Sequence, residues 1–237
     1  MQKLIIDANK KRIGLNFREL YQYRDLFFIL AYRDLRVRYA QTFLGLLWAV
    51  IQPLATLLIF TLVFGRVFQA NELPQNVPYP LFALSGMAVW GYFSFVMSNA
   101  GNSVISSQGM IQKIYFPRLI IPLSKAVVGL ADFTITLIFL LAVMLWFRFV
   151  PSGKLLFAPV FIIFTMIAAL GVGIWLSALT IRFRDFQHII PFMVQFGLYV
   201  TPVGYPASLI VGNEKLPAFV KILYFCNPMA GIVEGFR

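Results

Sequence analysis

The sequence has one cysteine and one histidine among its 237 residues. Cys226 alone cannot form an intrachain disulfide, and His188 alone excludes a two-histidine metal site and a histidine proton relay. Acidic residues are also few, nine against 20 lysines and arginines, and no paired carboxylates suitable for acid–base catalysis are apparent. These scarcities argue against an enzyme and predict no metal site.

Recognised catalytic motifs are absent as well. The chain has no Gly-x-x-x-x-Gly-Lys-Ser/Thr loop, which is the usual backbone cradle for the phosphates of ATP. It also has no Gly-x-Ser-x-Gly elbow and no His-Glu-x-x-His motif. We therefore expect no ATP site and no cofactor in this chain.

Apolar residues, by contrast, are abundant: 60% of the residues are hydrophobic and only 12% are charged. A soluble domain of this size cannot bury so much apolar surface, so lipid must solvate most of it. A net charge of +11 in a soluble protein would suggest nucleic acid. Here the basic residues lie mainly between apolar runs, where membrane topology explains them without a nucleic acid partner.

Charge-free intervals predict an all-α polytopic membrane protein, because a spanning helix needs about 20 mostly apolar residues. The polar second half of the 73–112 interval is interpreted as a loop. Prolines in Thr201–Pro206 end the fifth span, and the short apolar stretches after it are interpreted as re-entrant or interfacial helices on the external side. The predicted spans are 43–65, 80–100, 119–147, 155–181 and a fifth that starts near Ile189, giving a cytoplasmic segment 1–42, a span region 43–200 and an external region 201–237.

The basic residues also predict an orientation. The first ~38 residues are polar and basic with no early apolar core, so we expect no cleavable signal peptide and a cytoplasmic N-terminus. With that orientation, 14 basic residues lie in or beside cytoplasmic segments and six lie outside. This distribution follows the positive-inside rule.

The segment Phe17–Tyr39 is predicted to form an amphipathic helix on the inner membrane surface. Asp34 and Arg38 are spaced as an i,i+4 ion pair in the favourable order. A solvated basic leader that only sets topology is the alternative. The proposed apolar side contains Phe28, Ala31 and Leu35, and the charged side contains Arg33, Asp34, Arg36 and Arg38.

Asp132 lies at membrane depth within the third span, where a carboxylate is costly and usually marks a function or a buried partner. It could relay protons, or it could pair with Lys125, seven residues earlier and two turns up the same helix. The interpretation we favour is a polar contact that fixes helix packing.

Aromatic residues are numerous in and beside the spans. Most aromatic rings near a membrane interface are ordinary anchors. A sharper hypothesis is that some rings line a pathway, where loose stacking lets a long sugar polymer slide. The candidates are Trp48, Trp90, Phe196, Tyr199 and Tyr205.

The polar island between Ile105 and Pro122 is the most informative segment for function. Ser106–Tyr115 can form a short helix, which Phe116-Pro117 ends because the residue before proline is disfavoured in a helix. A loop that only sets topology needs its charges alone, whereas apolar residues crowded between those charges indicate docking to a protein outside the membrane. The candidate docking residues are Met110, Ile111, Lys113, Tyr115, Phe116, Pro117 and Arg118.

Taken together, several short motifs resemble the permease subunits of ABC exporters for bacterial surface polysaccharides. The likeness covers essentially the whole chain, and it is greater to the O-antigen (Wzm-like) permeases than to the capsule (KpsM-like) or teichoic-acid permeases. The residues that carry it are Arg38-Tyr39, Leu44-Gly45, Trp48 and Pro53-Leu54 near the first span, Lys113–Arg118 and Pro122 in the loop, Arg182–Asp185 before the fifth span, and Asn227-Pro228 and Phe236-Arg237 near the end.

The resemblance implies a single permease domain with six spans, of which five are seen and the final one is missing from this sequence. It also implies a homodimer in the bacterial inner membrane and two copies of a cytoplasmic ABC ATPase subunit that binds ATP and Mg²⁺. The substrate would be a lipid-linked glycan, and the surrounding partners would be membrane lipids. In this family the Ser106–Pro117 helix would be the coupling helix that the ATPase receives.

Other functions stay open at this point. An ion-gradient-driven flippase would need Asp132 to titrate during transport. A membrane-embedded transferase would need a catalytic base that the sequence does not supply. An ABC exporter of capsule, teichoic acid, lipid or drug is the nearest rival in mechanism.

Overall fold

The computed structural model describes residues 17–40, 47–68, 77–150, 153–212 and 216–237. The predicted start of the first span at 43–46, the Leu44-Gly45 pair and the whole leader before Phe17 lie outside the described residues. In the described ranges the chain is helical, connected by turns and short irregular segments.

The helices follow the predicted spans closely. Each long helix begins or ends near a proline or a charged residue. Such residues mark the ends of the apolar runs, where the backbone groups that the helix leaves unpaired can bond to water. The helices are α1 Phe17–Gln22, α2 Arg24–Ala40, α3 Trp48–Phe68, α4 Tyr79–Ser106, α5 Gln108–Ile111, α6 Ile120–Trp146, α7 Ala158–Arg182, α8 Phe186–Val200, α9 Ser208–Val211, α10 Ala218–Phe225 and α11 Pro228–Phe236, with a 3₁₀ helix at Gly153–Phe157.

The predicted all-α polytopic membrane fold is confirmed. Among the described residues, three helices are long and apolar enough to cross a membrane, namely Tyr79–Ser106, Ile120–Trp146 and Leu155–Arg182. The shorter apolar helices Trp48–Phe64 and Phe186–Val200 coincide with the predicted first and fifth spans. Helices α9 to α11 have four, eight and nine residues, too few to cross a bilayer.

Helix α4 is the centre of the bundle, and α3, α6, α7, α8 and α11 pack around it. Two glycines permit the closest approaches. A Cβ on Gly129 of α6 would lie 2.8 Å from the ring of Phe95, and a Cβ on Gly173 of α7 would lie 2.8 Å from the Cβ of Ala100. Small residues at helix crossings are the usual means of tight packing in lipid, where association depends on van der Waals contact.

The predicted end of the second span was wrong, because α4 continues through the polar residues as far as Ser106. Asn99 and Asn102 donate their side-chain amides to the carbonyls of Phe95 and Ser98, four residues earlier, at 2.8 and 3.1 Å. Ser103 donates its hydroxyl to the Ala100 carbonyl at 2.6 Å. Polar side chains that bond back to their own helix remain compatible with membrane depth.

The predicted helix from Ser106 to Tyr115 was also too long. Only Gln108–Ile111 is helical, and the chain then passes through a turn and an extended segment to Pro117. The Ile120 amide donates to the Pro117 carbonyl at 3.1 Å, so the proline lies at the start of α6. The island is therefore one helical turn followed by an open loop.

The connecting segments lie at two opposite ends of the bundle. Helices α1 and α2 lie at the end where α4 stops and α6 begins, and α2 packs along α6. Helix α11 packs against α4 and α7. The C-terminal end of α11 lies beside Phe82 of α4 and Phe161 of α7, at the end of the bundle away from α1 and α2. This arrangement places the predicted cytoplasmic and external segments on opposite sides of the helix bundle.

The apolar side predicted for α2 was partly wrong. Leu30 and Ala31 are buried towards the bundle, whereas Phe28 is exposed and Leu35 is half-buried. The reason is that α2 packs one side against α6 and leaves its other side exposed, and apolar residues lie on both sides. A single apolar stripe therefore does not describe the helix.

Candidate functional site

The loop between α4 and α6 divides into a buried and an exposed half. Phe116 is buried in a cluster with Leu30 of α2 and Ile120 and Ile121 of α6. Met110 and Ile111 are partly buried against the same cluster. These three candidate docking residues therefore attach the loop to its own bundle.

The other candidate docking residues face solvent. Lys113, Tyr115 and Arg118 are exposed, as is the neighbouring Ile114, while Pro117 is half-buried. The resulting surface carries two positive charges beside an aromatic and an aliphatic side chain, which is suited to contact with another protein. The loop thus has exposed residues that a partner protein could contact and buried residues that hold the loop on the bundle.

Helix α1 adds to this exposed surface. The Tyr115 hydroxyl donates to Oε1 of Glu19 at 3.3 Å, and the Glu19 carboxylate raises the pKa of that hydroxyl. Phe17 and Tyr21 of α1 are largely exposed on the same element. The sequence did not place α1 beside the loop, because 96 residues separate Glu19 from Tyr115.

A second group of charged residues joins α2 to α6 within the bundle. Nη2 of Arg38 lies 2.6 Å from Oδ2 of Asp132, and the Tyr39 hydroxyl donates to Oδ1 of the same carboxylate. The Arg38 guanidinium also lies over the ring of Phe95, 4.6 Å from its centroid. Burial, together with the bond to Asp132, raises the pKa of Tyr39 to about 12.

The pairing of Asp132 with Lys125 was wrong, as was the Asp34–Arg38 pair within α2. Nζ of Lys125 instead lies 2.5 Å from Oδ2 of Asp34, and Nη2 of Arg33 lies 2.8 Å from its Oδ1. Burial raises the pKa of Asp34, but the bonds from Lys125 and Arg33 outweigh it and hold that pKa below its usual value.

The charges of the two ion pairs between α2 and α6 alternate in sign along each helix. The negative Asp34 and positive Arg38 of α2 face the positive Lys125 and negative Asp132 of α6. Displacing α2 along α6 so that Arg38 approached Lys125 would bring two cations together. The geometry favours Asp132 as a packing contact, because its carboxylate is bound by a guanidinium and a phenol.

At the opposite end of the bundle, Arg237 is the centre of a buried polar cluster. Its guanidinium donates to the Val203 carbonyl, lies 3.2 Å from Oε1 of Glu234, and lies 3.6 Å from the ring centroid of Phe82. Burial lowers the pKa of Arg237 to about 10. This side chain connects the 201–207 turn to α4 and α11.

Further hydrogen bonds fix the same turn. Tyr79 donates its hydroxyl to the Gly204 carbonyl at 2.9 Å, and the Ala207 amide donates to Oε1 of Glu234 at 2.9 Å. Asn227 accepts from the Met229 amide at 3.0 Å, which caps α11, and donates to the Thr201 hydroxyl at 3.0 Å. Asn227-Pro228 is a recognisable helix start, but its contact with Thr201 could not be read from the sequence.

The five candidate pathway aromatics occupy different environments. Trp48, Phe196 and Tyr199 are exposed, and Phe192 stacks on Phe196 with ring planes 11° apart. Tyr205 is half-buried, and its hydroxyl donates to the Tyr199 and Val200 carbonyls. Trp90 is buried in the core, where a Cβ on Gly197 would meet its ring. In this conformation Trp90 therefore packs against α8 within the core.

One polar feature of α4 was not predicted from the sequence: three of its residues fall inside the predicted second span and the fourth, Asn102, in the predicted loop. Gly91, Ser94, Ser98 and Asn102 of α4 recur at helical spacing and stay exposed or half-exposed, although α4 is otherwise the most buried helix. The Ser94 hydroxyl and the Asn102 amide donate to carbonyls of their own helix. A hydrophilic stripe that the neighbouring helices leave uncovered thus runs along the central span.

In the part of the chain that the structure describes, no group of three or more His, Cys, Asp or Glu residues could hold a metal ion. Two other features stand out, namely an exposed loop surface at one end of the bundle and, at the other end, the 201–207 turn that hydrogen bonds hold in place. Helices long enough to span a bilayer connect them.

Comparison with known proteins gives consistent results. The family model described as ABC-2 type transporter matches residues 25–237. The chain is 29% identical over 221 residues to the O-antigen export system permease protein RfbA of Myxococcus xanthus, covering 93% of this chain and 82% of that protein. It is 29% identical over 214 residues to the protein of the same name from Klebsiella pneumoniae, covering 90% of this chain and 79% of that one. The polysialic acid transport protein KpsM of Escherichia coli is 21% identical over 207 residues, covering 86% and 77%.

Proposed function

The chain belongs to the ABC-2 type transporter family, and from that premise we propose that it is the membrane-spanning permease subunit of an ATP-driven polysaccharide exporter. Its substrate is a lipid-linked glycan, O-antigen in the first instance, which moves out across the bacterial inner membrane. The observation that carries this proposal is the similarity to O-antigen export permeases over 90% or more of the chain.

ATP hydrolysis is assigned to a separate partner. Two copies of a cytoplasmic ABC ATPase subunit would bind ATP and Mg²⁺, and this chain would contain no catalytic residue. The exposed part of the α4–α6 loop, with Lys113, Tyr115 and Arg118, supports a docking role because it projects from the bundle without being needed to hold it together. The N-terminus and this loop then lie on the cytoplasmic side.

The translocation pathway is proposed to form between two copies of the chain. Two features support this proposal, namely the polar stripe of α4 and the exposed rings Phe196 and Tyr199 of α8. Hydroxyl and amide groups can form hydrogen bonds with a glycan, and aromatic faces can stack on sugar rings without strong directional bonds. Both are features that a purely lipid-facing surface does not need.

The docking role can be tested by exchanging single exposed side chains. Tyr115→Ala and Arg118→Ala should each lower co-purification of the ATPase subunit and surface glycan export, while the amount of folded permease stays the same. Phe116 is a poor test residue, because it is buried and its loss would disturb folding. Phe219→Ala is the matched control, since Phe219 is also a largely exposed aromatic residue, on α10 near the other end.

Unchanged ATPase binding in both loop variants would contradict the proposed docking surface. Loss of binding in the Phe219 variant as well would show a general effect of removing exposed apolar area. Either result would leave the family membership intact, which rests on the sequence match.

A second candidate function is an ABC exporter of a different glycan, which the similarity to a polysialic acid transport protein favours. Export of two glycans can be compared in cells that lack their own permease. Restored O-antigen at the surface without capsule would support the first proposal, and the reverse would support the second. A flippase driven by an ion gradient is disfavoured by the contacts of Asp132 with Arg38 and Tyr39.

A further inference from the structure

The side of α2 that faces away from the bundle carries a shallow, open depression. Ile29, Tyr32, Arg33, Arg36, Val37 and Ala40 line it. The spacing of three, one, three, one and three residues places all six on a single face of an α-helix. We refer to these six residues as the α2 groove.

The opposite face of α2 is fixed, so the groove cannot rotate towards the bundle. Leu30 and Ala31 are each 3% exposed against the neighbouring elements. The ion pairs of Asp34 with Lys125 and of Arg38 with Asp132 hold the same face on α6. The α2 groove therefore remains outward-facing whenever these contacts are formed.

The groove has unbalanced positive charge. Arg33 is paired with Asp34, whose carboxylate is shared between Arg33 and Lys125. Among the described residues, Arg36 forms no ion pair. The groove thus presents one guanidinium without a carboxylate partner and a second that shares its partner with a lysine.

The groove also exposes large apolar side chains beside these charges. Ile29, Tyr32 and Val37 are 62%, 67% and 56% exposed. A helix face that carries apolar side chains beside guanidinium groups can contact acyl chains with the first and headgroup phosphates with the second. A guanidinium can bind phosphate oxygens through two parallel hydrogen bonds, and the Tyr32 hydroxyl can donate a third.

We propose that the α2 groove binds the headgroup phosphate of an anionic phospholipid through Arg33 and Arg36, with Ile29 and Val37 against its glycerol and acyl region. The occupant is a bulk membrane lipid and not the exported glycan, so the proposal goes beyond the transport function and does not depend on which glycan is carried. Charge complementarity identifies the lipid as anionic, because a zwitterionic headgroup would place a second cation beside the two arginines.

The test uses the full chain purified in a neutral detergent and titrated with phosphatidylglycerol or phosphatidylcholine, with bound lipid counted by native mass spectrometry. The groove variant is Arg33→Gln/Arg36→Gln. The control variant is Arg18→Gln/Arg24→Gln, which removes the same charge from two exposed residues of α1 and α2 that lie outside the groove. Thermal unfolding of each variant verifies that the bundle is intact.

We expect the groove variant to bind phosphatidylglycerol about tenfold more weakly, since a juxtamembrane arginine contributes about fivefold and Arg33 is partly neutralised. The control should change by less than about threefold, and phosphatidylcholine binding should be the same in all three proteins. An equal loss in both double variants would overturn the proposal, because net charge alone would then explain binding.

A second titration distinguishes the bulk lipid from the substrate headgroup, which shares its phosphate chemistry. A polyprenyl diphosphate replaces phosphatidylglycerol in the same assay. If the groove variant loses the polyprenyl diphosphate and retains phosphatidylglycerol, the groove is a substrate site and the proposal is wrong. Loss of phosphatidylglycerol binding in the groove variant, with the control unaffected, supports it.

Discussion

Helices α4 and α7 cross the same membrane side by side, yet they relate to the protein interior in opposite ways. The most apolar stretch of α4 is 72% buried, whereas that of Leu155–Arg182, which contains α7, is 11% buried although it is the more apolar of the two. In water the more apolar helix would be inside. In a bilayer, lipid solvates apolar side chains as well as protein does, so apolarity gives no reason for burial.

What distinguishes α4 is the fit of its surface to its neighbours. Its small residues Ala100 and Gly101 accept a backbone or a side chain at close range, and α7 contributes Gly173 at the same crossing. Thr180 of α7 donates its hydroxyl to the Gly101 carbonyl at 2.9 Å. Contact and hydrogen bonding therefore decide which helix is central.

The largest effect is expected where α7 meets α4. Gly173→Leu would force a side chain against Ala100, because a Cβ there already lies 2.8 Å from the Ala100 Cβ. We expect a loss of about 3 kcal/mol of unfolding free energy from overpacking, measured by thermal or denaturant unfolding in detergent. Gly171→Leu is the matched control, because nothing lies within 4 Å of a Cβ on Gly171. Equal losses in both variants would contradict the assignment of faces on α7.

The next effect concerns a charge within the bundle. Asp132→Asn removes the ion pair with Arg38, and we expect a loss of about 1–2 kcal/mol, less than for a fully buried pair because both side chains keep some exposure. Asp25→Asn is the control, since the Asp25 side chain is 87% exposed. Export per folded molecule should change little. Abolished export at an unchanged level of folded protein would favour a gradient-driven mechanism instead.

A smaller effect is expected from the hydrogen bond between the two helices. Thr180→Val removes the bond to Gly101 while keeping the side-chain shape, and we expect a loss of about 0.5–1 kcal/mol in the same unfolding assay. Thr134→Val on α6 is the comparison, because the exposed Thr134 hydroxyl bonds to the Leu130 carbonyl of its own helix. If Thr134→Val costs as much as Thr180→Val, the interhelical bond has no special role.

The smallest effect on stability is expected on an outward face. Phe196→Ala should change the unfolding free energy by less than about 0.5 kcal/mol, since Phe196 is 60% exposed. Export should nevertheless fall if the ring contacts the glycan. Phe164→Ala on α7, an exposed aromatic residue outside the proposed pathway, is the control for export. Equal export from both variants and the unaltered chain would contradict the pathway role of α8.

Sequence reasoning located the spans well, because uncharged intervals of sufficient length are set by the cost of charge in lipid. It fails within α4, where the polar residues Asn99, Asn102 and Ser103 favour a loop by composition. Their hydrogen bonds to carbonyls three or four residues earlier satisfy them inside a helix. Composition cannot distinguish a polar residue in water from one that bonds to its own backbone.

The partner of Asp132 was beyond sequence reasoning for a different reason. Lys125 is two turns away on the same helix and was the nearest cation in the sequence, but Arg38 and Tyr39 reach Asp132 across a helix–helix contact. The same holds for Trp90, which was grouped with Phe196 although one is buried and the other exposed. A sequence gives depth along a span but not which way a side chain points.

The Arg38–Asp132 contact also has a consequence for the time order of synthesis. Tyr39 and Arg38 leave the ribosome more than 90 residues before Asp132 does. The N-terminal segment is therefore already made, with a guanidinium and a phenol available to the carboxylate, when the third span enters the bilayer. A carboxylate at the centre of a newly inserted helix costs about 2.5–3.5 kcal/mol. We expect the N-terminal segment to act as an insertion partner for this later span, so that deleting it leaves α6 poorly retained in the membrane.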